Sequence, residues 1–103
     1  MKQPDVCLTL IASVEIEEMI IDVLLEHEDI VRRFLTQRIE AHGARMGYAS
    51  VAEQVRGRAE RVEFQVLLAN EDVGRILHAL RENLPSAELS YWLMPLLAYG
   101  RIE

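Results

Sequence analysis

Two hydrophobic periods alternate along this chain. From Asp5 to Ala12 the run DVCLTLIA places Val6, Leu8 and Leu10 on one side of an extended chain and Cys7 and Ile11 on the other. That is a strand with apolar residues on both faces, as expected of one covered on both sides. From Ser13 the period lengthens: Ile16, Met19, Ile20, Val23 and Leu24 recur at helical spacing, with Glu15, Glu18, Asp22 and Glu26 opposite. Ser13 is the expected N-cap of this helix, which should run to Glu26 or His27. Period two returns from Ile30 to Ala41, where Phe34, Thr36 and Arg38 alternate with Leu35, Gln37 and Ile39. It returns again from Arg61 to Leu68, with Val62, Phe64, Val66 and Leu68 on one side and Arg61, Glu63 and Gln65 on the other. A second helix follows, capped by Asn70, carrying the stripe Val73, Ile76, Leu77, Leu80 and Leu84, and stopped by Pro85. The run from Glu88 to Ala98 is a fourth strand with apolar residues on both faces. Pro95 offers no ladder donor there, so it should sit at a bulge or on an edge.

The order is β-α-β-β-α-β, an α+β ferredoxin-like sandwich in a single domain spanning residues 1–103. Right-handed crossovers put both helices on one face of the four-stranded sheet. The other face is then bare, yet the first and last strands carry apolar residues on it, with Trp92, Met94 and Leu96 among the candidates. A bare apolar sheet marks an interface, so an obligate oligomer built by packing sheet faces together is expected.

Between the second and third strands, where a hairpin needs only two to five residues, runs HGARMGYASVAEQVRGRAE. Ser50 and Glu53 have capping-box spacing, and Gly57 is placed to end the short helix that would follow. Charge singles out the same region. The chain as a whole carries −6, but residues 32–61 hold seven arginines against Glu40, Glu53 and Glu60, leaving +4 there and −10 elsewhere. In Arg56-Gly57-Arg58 two guanidiniums flank a glycine whose backbone can approach a ligand, a pattern suited to phosphate or carboxylate. The acidic balance argues against general nucleic-acid binding. A single cysteine, Cys7, excludes an internal disulfide. No run of apolar residues reaches membrane-spanning length and no signal-like segment opens the chain, so a cytoplasmic protein that is not membrane-embedded is expected.

With these features on view, the chain resembles the PII nitrogen-regulatory (GlnB-like) superfamily. The resemblance rests on the element order, on the long loop between strands two and three, and on Arg56-Gly57 shortly before strand three. The phrases DVCLTLIA, SVAEQVRGRAERVEFQVLL and YWLMPLLAYGRIE are most similar to an uncharacterised branch often encoded beside heavy-metal efflux pumps of the resistance-nodulation-division class. The resemblance implies a trimer with sheets around a threefold axis and helices outside. It implies that residues 43–60 correspond to the T-loop, with which PII proteins touch a transporter or enzyme under ligand control. One departure stands out. The glycine-rich basic loop that cradles ATP phosphates in such proteins is replaced by Glu82–Leu89, ENLPSAEL, which has no glycine, lysine or arginine. Arg56, Gly57, Arg58 and Arg101 remain as the residues expected to hold a small anionic ligand, whose identity the sequence leaves open.

Metal ligation is the other implied chemistry. His27, His78 and Cys7 read as a helix end, a boundary position and a small strand residue, and no zinc or copper spacing motif occurs. His42, opening the long loop with Met46 four residues on, is the preferred metal candidate. No serine or cysteine has a base partner by motif, so no enzyme is expected. Two readings follow. One is a PII-like trimeric regulator whose basic loop contacts a partner, expected to be a membrane transporter such as a heavy-metal efflux pump, under small-ligand control. The alternative is a metal-binding accessory protein that buffers or senses copper or zinc.

Overall fold

Four strands and two helices follow one another in the order β-α-β-β-α-β in a computed structural model that describes residues 2–43, 59–84 and 89–103. Strands β1 (Val6–Ser13), β2 (Val31–Ala41), β3 (Ala59–Leu68) and β4 (Leu89–Pro95) form one sheet in the order β2-β3-β1-β4, every neighbouring pair antiparallel. Helices α1 (Glu17–Glu26) and α2 (Val73–Asn83) are each entered through a short 3-10 turn, Val14–Ile16 and Asn70–Asp72. This is the ferredoxin-like arrangement expected from the periodicity.

The register explains the two-faced strands. Leu8, Leu10 and Ala12 of β1 lie opposite Val66, Phe64 and Val62 of β3, and all six are fully buried. Ile20, Val23 and Leu24 of α1 and Val73, Ile76 and Leu80 of α2 close over them in one core. From β2 the ring of Phe34 packs against Phe64 with centroids 6.4 Å apart and planes tilted by 37°. A bulge at Arg32 shifts the β2 register, so that Val31 and Phe34 both pack into the core despite their odd spacing.

Several local expectations are corrected. Met19 does not join the α1 stripe and is half exposed. Successive helical residues are about 100° apart, so Met19 and Ile21 flank Ile20 on opposite sides, and Ile21 is the one that packs on the core. Asn70 does not cap α2. Ala69 holds the N-cap position of its 3-10 turn, and the Asn70 N–H donates instead to Asp5 Oδ1, 2.7 Å away, across from the start of β1. Lys2 adds ion pairs to Glu71 and Asp72, and its hydrogen bonds to Glu71 and then Asp72 raise its pKa. By contrast Ser13 caps as expected, its Oγ accepting from the Glu15 N–H at 3.3 Å. β4 is an edge strand and ends at Pro95 rather than Ala98. One more backbone bond, Leu96 N–H to the Asp5 carbonyl at 3.0 Å, follows, and residues 98–103 then continue without regular secondary structure.

Candidate functional site

The long connection is rooted in the most extensively paired part of the sheet. β2 and β3 stay in register from Arg33 and Leu67 out to Ala41 and Ala59, so the ends of residues 42–58 are held side by side by a ladder. At this root Glu40 lies directly opposite Glu60, and Ile39 opposite Arg61. Alternation with Glu63 and Gln65 predicts a solvated Arg61, yet it is buried to 7% exposure, and its Nη1 donates to the Glu60 carbonyl at 2.9 Å. Strand periodicity gives no hint of this; only its position at the foot of an arginine-rich segment does.

His42 is exposed immediately beyond β2. Arg101 is exposed in the tail after β4, its Nε 4.0 Å from Glu103 Oε1. Met46, Arg56, Gly57, Arg58 and the Ser50–Glu53 capping box lie outside the described residues. Within one chain the end of β2 that leads into His42 and the end of β4 that leads into the tail lie at opposite corners of the sheet. β2 and β4 are its two edges, and Ala41 lies beyond the Ser13 end of β1 whereas Pro95 pairs with Val6 at the other. No three histidine, cysteine or acidic side chains converge on a metal-sized site among the described residues. His27 caps its own helix, its Nδ1–H donating to the Val23 carbonyl at 2.8 Å, and exposed His78 faces Glu82 at 3.8 Å.

The face away from the helices carries apolar side chains among polar ones such as Thr9, Arg61 and Ser90. Cys7, Ile11, Leu67, Trp92 and Met94 share it, joined by Leu35 from β2. Leu35, Trp92 and Met94 are 52%, 49% and 55% exposed. Among them sits one polar cluster, in which the Glu63 carboxylate accepts from Gln65 Nε2 at 2.9 Å and from Gln37 Nε2 at 3.3 Å. Beyond the sheet, Leu97 and Ile102 are entirely exposed. No helix among the described residues is long and apolar enough to cross a membrane.

A four-stranded sheet in this order, covered by two helices on one side, is the architecture of PII-like proteins. The chain belongs to the DUF3240 family, described as proteins of unknown function, whose profile matches residues 2–103. A DUF3240 family protein from Shewanella baltica OS155 superposes with a TM-score of 0.79 at 22% identity, covering 99% of this chain and 100% of that one. CPII, a nitrogen regulatory PII-like protein from Thiomonas intermedia K12 bound to ADP, AMP and bicarbonate, gives 0.70 at 14% identity, with 96% and 97% covered. A putative PII-like signalling protein from Thermus thermophilus gives 0.63 at 17% identity, with 91% and 88% covered. No curated protein matches the chain.

Proposed function

We propose that this protein is a PII-like trimeric regulator, in which residues 43–60 contact a partner under the control of a small anionic ligand. The observation that carries this reading is the bare sheet face. Trp92, Met94 and Leu35 are placed by a well-paired sheet and left half exposed, which is the signature of a surface that another subunit covers. Packing three such faces together leaves the helices outside and the Ala41 and Ala59 ends of β2 and β3, from which the long connection departs, at one end. Arg56, Gly57, Arg58 and Arg101 are the anion-binding candidates, and a membrane transporter such as a heavy-metal efflux pump is the proposed partner class. The ADP, AMP and bicarbonate bound by the Thiomonas protein supply the first ligands to try. The alternative of a copper or zinc accessory protein has no converging ligand set behind it among the described residues.

Light scattering on the purified chain tests the assembly. About three times the subunit mass of 11.8 kDa is expected, and a monomer at micromolar concentration would overturn it. Thermal-shift titration with ADP, AMP and bicarbonate tests ligand control. A stabilisation that Arg101→Ala removes is expected, and no response to any of the three counts against it.

A further inference from the structure

The helix layer stops short of the edge strand. Leu89, Tyr91 and Leu93 of β4 lie opposite Ala12, Leu10 and Leu8, on the helix side of the sheet. Their partners on β1 are fully buried, yet Tyr91 and Leu93 remain 51% and 41% exposed. The space between α2 and β4 is a cavity of about 190 Å³. Leu10 forms its floor, Leu77 and Leu80 of α2 with Leu84 just beyond it one wall, and Leu89 and Tyr91 the other. The one charged group in this described lining is Arg81, exposed in the last turn of α2. Arg81 pairs with no carboxylate among the described residues, unlike Arg38, Arg75 and Arg101.

We propose that this cleft binds a short-chain monocarboxylate, with the apolar tail against the leucines and the carboxylate on the Arg81 guanidinium. The size suits a small tail: an enclosed cavity of about 150 Å³ admits one benzene ring, so this open cleft can cover about six carbons or a single ring. A guanidinium matches a carboxylate bidentately. A singly charged head is favoured over a dianion, because the C-terminal end of α2 carries about half a negative charge that Arg81 must first outweigh. All of these lining residues belong to one chain and lie on the helix side, away from the bare sheet face.

Methyl NMR of the full-length protein, titrated with hexanoate and with hexanol, tests the proposal. Hexanoate should shift the methyls of Leu10, Leu77, Leu80 and Leu89 saturably while leaving Met94 on the opposite face unmoved. Arg81→Gln, an exposed substitution that leaves the leucines intact, should weaken hexanoate at least about tenfold and leave hexanol unchanged. The filling variant Leu77→Phe should weaken both. The proposal is overturned if hexanoate gives no saturable shifts, if Arg81→Gln binds it as well as the parent, or if the shifts lie at Met94. It is equally overturned if those leucine methyls respond to protein concentration instead, because a second copy would then own the cleft.

Discussion

On the helix side of the sheet Leu8, Leu10, Val62, Phe64 and Val66 are completely buried, whereas one residue away along the same or adjoining strands Leu35, Trp92 and Met94 are about half exposed. Both sets are apolar, and a two-residue period puts them on opposite faces of one hydrogen-bonded sheet. The first set is closed by α1 and α2 from the same chain. The second has nothing among the described residues to close it. A strand whose two faces are both apolar therefore encodes two packing problems, of which the helices of the same chain solve one.

The largest expected effect breaks the closed face. Phe64→Ala removes a fully buried ring that also packs on Phe34, so urea denaturation should show a loss of about 3–5 kcal/mol. A loss below about 1 kcal/mol would mean that the helix side is not the subunit's main core. Next, Trp92→Asp places a charge on the open face, where the parent side chain is half exposed. Light scattering should then report a monomer whose far-ultraviolet circular dichroism stays native. Simultaneous unfolding would erase the distinction between the two faces; an unchanged mass would remove the interface. A weaker effect is expected from Leu97→Ser combined with Ile102→Ser. Both side chains are entirely exposed in the tail, and if they extend the open-face interface, subunit dissociation should shift by about tenfold or more, readable by sedimentation at several concentrations.

The strands and their facing were legible because valine, leucine and phenylalanine at period two leave little choice of register. Leu10 and Phe64 were placed correctly from spacing alone, and so was the exposure of Trp92 and Met94. What was hidden depends on contacts between distant segments. Nothing in the alternation of Arg61 with Glu63 marks Arg61 as buried, and nothing in the α1 stripe says whether Met19 or Ile21 will be covered. The groove beside Arg81 was equally invisible, because it exists only where α2 fails to reach β4. For the ligand and metal candidates, His42 follows β2 and Arg101 lies in the tail beyond β4, the two edge strands of the sheet, and spacing along the chain does not say what either one meets.

The smallest effect concerns the start of α2, where sequence and structure chose different residues. Asn70 has the right identity for an N-cap, but it is Asp5, at the threshold of β1, whose Oδ1 accepts the Asn70 N–H at 2.7 Å. Asp5 also holds the β1 side together through its backbone, giving its N–H to the Leu68 carbonyl and accepting from Leu96 at its own. The backbone bonds survive substitution and the carboxylate does not. Asp5→Ala should therefore cost about 1 kcal/mol in urea denaturation, the usual value of a lost cap, while Asn70→Ala at an exposed position should cost less than about 0.5 kcal/mol. Because the cap lies on the helix side, neither substitution should alter the mass in solution. The reverse ranking would restore Asn70 as the cap, and a change of mass with Asp5→Ala would show that the two faces are coupled through the β1 terminus.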